Sequence, residues 1–320
     1  MWRLAIVVAA VVLLLGVAIL VRPGGEPGRP TATSPGSSAP VSTARVSPAS
    51  VAPATGSAVL VGAGDIADCD ATGDEATALL LDGIDGTVFT LGDNAYEDGT
   101  LAEYRACYDP TWGRHKDRTR PVPGNHEYQT EGAAGYFEYF GGVAGDPDEG
   151  WYAYDLGSWR IYALNSNCGA IGGCDTGSAQ ERWLRADLSA NPRPCVAAYW
   201  HHPRFSSGEH GNDGDLRDLW QTLHEAGAEL VLAGHDHMYE RFAPQAADGT
   251  ADPARGIVSF VVGTGGRRFY EFQTVRPNSL VRDTGTHGVL KLSLAAGSYA
   301  FEFVPVAGAT FSDTGSGACH

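Results

Sequence analysis

The chain has 320 residues, with 22 Lys and Arg against 38 Asp and Glu, and a formal charge of −16. Only two lysines occur, Lys116 and Lys291, and so acidic a surface argues against electrostatic binding to nucleic acid. A bound cation reverses the field locally, so small phosphate substrates stay open.

Leu4 to Val21 is an uncharged apolar run between Arg3 and Arg22. It fits a signal peptide or an N-terminal membrane anchor over residues 1–22, and the lack of a close small-x-small cleavage site favours the anchor. Residues 23–57 turn to Pro, Ser, Thr, Ala and Gly and hold seven of the 18 prolines. That composition buries too little apolar area to offset its ordering entropy, so a disordered linker is expected. The folded domain is expected over 58–306, with a tail at 307–320, exported to the cell surface or beyond. An even number of cysteines in an exported chain favours disulfides. Cys168 and Cys174 bracket a Gly-rich loop and are paired; Cys69–Cys107 and Cys195–Cys319 complete the assumed set.

The first strand, Ala58 to Val61, runs into Gly62-Ala63-Gly64-Asp65. Thr72 to Glu75 has a capping-box pattern, followed by a helix face of Ala76, Leu79 and Leu80. The second strand, Thr87 to Leu91, ends in Gly92-Asp93-Asn94-Ala95-Tyr96. A third apolar-to-polar junction is Val122-Pro123-Gly124-Asn125-His126-Glu127. Trp151 to Asn165 alternates and turns at Gly157-Ser158, which predicts a hairpin. Ser178 to Glu181 is a second capping-box pattern, opening a helix through Leu188 that buries Trp183 and Leu184.

Cys195 to Trp200 reads as a strand ending in His201-His202-Pro203. Asp215 then opens a helix with Leu216, Leu219, Trp220 and Leu223 at core spacing, stopped by Gly227; His224 falls outside that set and is expected in solvent. Ala228 to Ala233 delivers Gly234-His235-Asp236-His237. Strands follow at Ile257–Val262, Gly288–Leu294 and Ser298–Val304. Strand–helix alternation first and antiparallel strands last predict an α/β domain of two sheets covered by helices.

The strand-end polar residues are Asp65, Asp93, Tyr96, Asn125, His201, His235 and His237. Nitrogen and oxygen donors without a thiolate suit two transition-metal ions rather than a structural zinc. In open α/β sheets ligands gather outside the carboxyl ends of strands, where all of these lie. Two ions sharing a carboxylate suit an in-line displacement at phosphorus.

The set Gly64-Asp65, Gly92-Asp93-x-x-Tyr96, Gly124-Asn125-His126-Glu127, His201 and Gly234-His235-x-His237 resembles the calcineurin-like metallophosphoesterases, in order and across most of 58–305. More narrowly, it resembles their purple acid phosphatase branch. Ala67 stands where most of the superfamily has a metal-ligating His, and Tyr96 supplies a phenolate as in the purple branch. The resemblance implies a four-layer αββα sandwich of two mixed β-sheets flanked by helices. It implies Asp93 as a bridging ligand, with Asp65, Tyr96 and His237 on an Fe(III) and Asn125, His201 and His235 on a divalent iron, zinc or manganese. His126 matches a residue that contacts substrate or protonates the leaving group, and His210 matches a substrate-facing histidine. Asp236 is expected to point away from the metals.

The implied activity is that of a phosphomonoesterase of the acid phosphatase type, with hydroxide held by the ions as nucleophile. The alternatives are a phosphodiesterase acting on nucleotides or phospholipid headgroups, and a catalytically silent cell-envelope binding protein of the same fold. The branch usually has Gly at the position of Ala67, and its plant members carry an N-terminal β-domain where this chain has its Pro-rich segment. His202 is open between a structural residue and a ligand. Arg204, Arg267, Arg268 and the loop Gly263-Thr264-Gly265-Gly266 are weaker candidates for binding an anion.

Overall fold

The computed structural model describes residues 57–320. The leader or anchor expected at 1–22 and nearly all of the linker expected at 23–57 lie outside the described residues. Thirteen strands follow in order: β1 Ala58–Ala63, β2 Thr87–Thr90, β3 Thr119–Arg120, β4 Tyr152–Leu156, β5 Trp159–Ala163, β6 Cys195–Tyr199, β7 Leu230–Ala233, β8 Tyr239–Gln245, β9 Ile257–Val262, β10 Ser279–Asp283, β11 Gly288–Ala295, β12 Ser298–Pro305 and β13 Thr314–Ala318. The α-helices are α1 Gly73–Asp82, α2 Leu101–Glu103, α3 Ala134–Phe140, α4 Ala179–Ala190 and α5 Arg217–Glu225.

Two mixed sheets form. One has the order β13-β12-β11-β1-β2-β3 and the other β10-β8-β9-β7-β6-β5-β4. β1, β2 and β3 are parallel in the first sheet, and β5, β6, β7 and β9 in the second. Strands buried on both faces are apolar throughout, and their side chains divide with period two. In β6, Cys195, Ala197 and Tyr199 face the layer between the sheets, while Val196 and Ala198 face a second cluster with Leu184 of α4 and Leu219, Trp220 and Leu223 of α5. β7 repeats this, with Leu230 and Leu232 inward and Val231 and Ala233 outward. Aromatic pairs knit the sheets together: Phe89–Tyr199 at 5.8 Å, Phe260–Phe301 at 5.1 Å and Tyr239–Phe303 at 4.7 Å between ring centroids.

Several local expectations are corrected. Thr72 makes no side-chain cap, and the buried face of α1 is Thr77, Ala78 and Leu81, with Leu79 58% exposed. A glycine-rich loop packs on that helix, where Thr77 Oγ1 also accepts from Trp112 Nε1 at 3.0 Å. Ser178 does cap α4, accepting from Glu181 N at 3.3 Å, but Glu181 reaches back to Gly177 N rather than to Ser178. His224 is only partly exposed, and its Nε2 lies 3.0 Å from Asp252 Oδ2. The segment expected as a tail supplies β13, paired antiparallel with β12. The disulfides are Cys69–Cys107, Cys168–Cys174 and Cys195–Cys319. Among the described residues no helix is long and apolar enough to cross a membrane.

Candidate dinuclear metal centre

Loops at the carboxyl ends of β1, β2 and β3 face those of β6 and β7, and the polar residues gather between them. Asp65, Asp93 and His235 each follow a glycine at a strand end and take left-handed backbone conformations, with φ of 61°, 49° and 70°. Such conformations cost about 1–3 kcal/mol each and persist only where their surroundings enforce them. Here the enforcement is a continued ladder past the strands: Asp65 N donates to Gly92 O at 3.1 Å and Ile66 N to Asp93 O at 2.9 Å. Gly124 is required because a Cβ there would sit 2.1 Å from Asp93 Oδ1.

Seven expected ligands converge in two sets that share one atom. In the first, Tyr96 Oη lies 3.1 Å from Asp65 Oδ1, 3.2 Å from Asp93 Oδ2 and 3.2 Å from His237 Nε2. In the second, His201 Nε2 lies 3.0 Å from Asn125 Oδ1, 3.1 Å from His235 Nδ1 and 3.3 Å from the same Asp93 Oδ2. Donors bound to one ion at ~2.0–2.2 Å stand about 3–3.5 Å apart, the spacing seen in both sets.

Proton bookkeeping supports a cation in each. His237 Nδ1–H donates to Arg268 O at 2.8 Å and His201 Nδ1–H to Leu91 O at 2.7 Å, so both present Nε2 lone pairs to the site. The second set is then built almost wholly of acceptors, and the first has a single phenolic hydrogen for three. Burial would lower His201, yet the Asp93 carboxylate raises it to about 9, so without an ion the cluster holds a proton instead. Burial and the carboxylates of Asp65 and Asp93 push the Tyr96 phenol well above its usual range, so only a stronger cation would release its proton. Burial and the neighbouring His201 push His235 far down, leaving it a neutral donor. The residues therefore fit two cations, with Asp93 Oδ2 placed between the two sets that would hold them.

Three further histidines, His126, His202 and His210, sit at the rim. His126 N donates to Asp93 Oδ1 at 2.9 Å, and its Nδ1–H donates to Glu97 O, which turns Nε2 toward the site. His210 packs on His235 at 4.1 Å between centroids, and its Nδ1–H donates to Asp236 Oδ1 at 3.0 Å. Asp236 does point away from the cluster, as expected, and its hydrogen bond raises the His210 imidazole. His202 lies 4.5 Å from His235 between centroids and is held by Ser166.

The sequence left the roles of Glu127 and Tyr270 unassigned, and Arg267, named there as a candidate for an anion, has another role. Glu127 is fully buried and accepts from Asp93 N at 2.9 Å, Asn94 N at 2.8 Å, Gly124 N at 2.6 Å and Tyr104 Oη at 2.9 Å, which ties the β2 and β3 loops together. Its place in Gly124-Asn125-His126-Glu127 was the available signal. Tyr270 stacks on His237 at 3.9 Å between centroids, and Arg267 lies over the Tyr96 ring at 4.4 Å. Arg267 is committed to Asp68 and Glu97, while Arg204 donates to the carbonyls of Asp213 and Ala247 and keeps only a buried Nε without a partner. The Gly263–Gly266 loop packs on the end of β1, where a Cβ at Gly265 would meet Gly64 O at 2.5 Å. It is a close-packing device and no anion cradle.

A profile of calcineurin-like phosphoesterases matches residues 51–239. An uncharacterised protein of Mycobacterium tuberculosis is 33% identical over 46% of this chain and 35% of its own length. Purple acid phosphatase 15 of Arabidopsis thaliana is 27% identical over 57% of this chain and 40% of its own. The chain thus spans about a third to two-fifths of the length of these relatives. The purple acid phosphatase from yellow lupin (Lupinus luteus) seeds superposes with a TM-score of 0.68 at 17% identity, over 81% of this chain and 53% of that one. With two mixed sheets, flanking helices and a cluster at the strand ends, this chain belongs to the calcineurin-like phosphoesterase family.

Proposed function

We propose that this protein is a metal-dependent phosphomonoesterase. Asp65, Tyr96 and His237 would hold one ion, Asn125, His201 and His235 the other, and Asp93 both. The observation that carries the reading is the position of Asp93 Oδ2, within 3.2 Å of Tyr96 Oη and 3.3 Å of His201 Nε2, in a cluster short of protons. Ions there supply Lewis acidity to a phosphoryl oxygen and make water a nucleophile at neutral pH. The protein's own part is to orient and to move protons. His126 Nε2 and His210 Nε2 face the rim because their Nδ1–H groups are committed to Glu97 O and Asp236, and either is placed to protonate a departing alkoxide. The side chain of Asn125 would also steady the phosphoryl group. Three disulfides support an exported setting.

Turnover of a nitrophenyl monoester by the full chain is expected to exceed that of the matching diester. The reverse order would favour the phosphodiesterase reading, and no turnover of either after metal loading would sink both. A phenolate at Tyr96 favours Fe(III) paired with a divalent iron, zinc or manganese. A visible charge-transfer band lost in Tyr96→Phe would support iron, and a colourless, active zinc or manganese protein would refute it.

A further inference from the structure

Three cavities open in a row beside the second set of donors. A cavity of about 190 Å³ is lined by His235, His210, His202 and Asp213. The next, about 330 Å³, shares His202 and Asp213 and adds Asn125 and Asp215. The third, about 430 Å³, shares Asp215 with the second and runs along the Cys168–Cys174 loop to Asp175. Neighbouring cavities share wall residues, so together they form one groove leading away from the metal centre. No lysine or arginine lines any of the three.

His202 stands where the groove meets the centre, and its hydrogen bonding fixes its tautomer. Ser166 Oγ accepts from His201 N at 3.2 Å and from His202 N at 2.9 Å, which uses both of its lone pairs. Its one hydrogen must then go to His202 Nδ1, 2.8 Å away. Nδ1 is therefore an acceptor, the ring proton sits on Nε2, and Nε2 has no lone pair for a metal. That tautomer favours the structural reading of His202 over the ligand one. Among the described residues Nε2–H has no protein partner, so this mostly buried ring offers a neutral donor to the two cavities it lines.

The groove is thus polarised. Its inner end carries the cation site and the His202 donor; Asp213 lines the two inner cavities, and Asp215 and Asp175 follow outward. We propose that it is a leaving-group subsite selecting phosphomonoesters of amine-bearing alcohols, zwitterions whose phosphate meets the metal centre and whose cation meets Asp213 and Asp215. His202 Nε2–H donates to an ester or hydroxyl oxygen between them. The inference rests on the phosphomonoesterase reading above and deepens it. A nucleotide or a carboxylate-bearing alcohol would bring negative charge against the same carboxylates.

The test compares phosphoethanolamine with 3-phosphoglycerate, by kcat/KM and by calorimetric binding to the metal-loaded full chain, with nitrophenyl phosphate as a neutral reference. Phosphoethanolamine is expected to be preferred about tenfold, the scale of one screened charge pair. The pair of substitutions Asp213→Asn and Asp215→Asn together should erase that preference, and a ratio taken on one sample is insensitive to the folded fraction. His202→Phe should weaken phosphoethanolamine binding, while His202→Gln, which keeps an N–H, should retain it. Equal or better use of phosphoglycerate by the wild type, or a ratio untouched by the double substitution, would overturn the subsite. Absence of nitrophenyl phosphate turnover would instead count against the phosphomonoesterase reading, and the binding ratio would still decide the subsite.

Discussion

At the scale of single residues, the centre depends as much on what is missing as on what is present. Gly124 lets the Asn125 loop pass over Asp93 at a distance no side chain permits, since a Cβ would lie 2.1 Å from Oδ1 and 2.4 Å from the amide nitrogen. Both contacts are to groups that cannot swing aside, because Asp93 N is held by Glu127 at 2.9 Å. Gly124→Ala is therefore expected to reduce bound metal and turnover at least 100-fold, a loss of about 3 kcal/mol or more of transition-state stabilisation, while circular dichroism stays near wild type. Normal metal content in that variant would show that the loops do not need their close approach. The residues proposed as ligands were legible as a polar set because strand-end Asp, Asn and His following apolar runs announce their chemistry by type. Their left-handed backbone was not legible, because it comes from a ladder between two loops distant in sequence. The commitment of Arg267 to Asp68 and Glu97 was hidden for the same reason.

At the scale of elements, the missed strands have identifiable causes. β8 contains Glu240, which is fully buried because Ser207 N and Ser207 Oγ donate to it at 2.8 and 2.6 Å; an apolar-run criterion passes over such a strand. β13 is built of Thr, Gly, Ser and Ala, and its glycines leave room for rings: a Cβ at Gly315 or Gly317 would stand 2.5 Å from Phe301 or Tyr299 of β12. Helix α4 was legible from its cap and offers a pH test away from the metal centre. Burial raises the Glu181 carboxyl, but donation from Gly177 N, Arg185 and Thr222 Oγ1 outweighs it, and the net shift is downward from 4.5. A lowered folded value means that the stabilisation is full above 4.5 and is lost as pH falls through the folded value. Glu181→Ala should thus cost about 1–3 kcal/mol at neutral pH, with a smaller cost in acid. Urea unfolding of both proteins at two pH values measures this, and an equal cost at both would contradict it.

At the scale of the whole molecule, the two sheets must keep their strand ends in register, because Asp65, Asp93, Tyr96 and Asn125 come from one and His201, His235 and His237 from the other. Cys195 begins β6 and Cys319 follows β13, so one disulfide, 124 residues apart in sequence, clips the second sheet to the edge of the first. Cys319→Ser should lower stability by about 2–4 kcal/mol, read as a fall in Tm, and a Tm equal to wild type would mean that the clip is dispensable. The α/β sandwich was legible from the order of strands and helices, but the participation of the last residues was not, because β13 has no apolar run to mark it. The central claim is that one oxygen of Asp93 joins two ions across the sheets. It is tested most directly by counting metal ions per chain in the purified wild type and in Asp93→Asn by mass spectrometry. Two per chain, falling below one in the variant, is the predicted result, and full retention of both ions by the variant would contradict it.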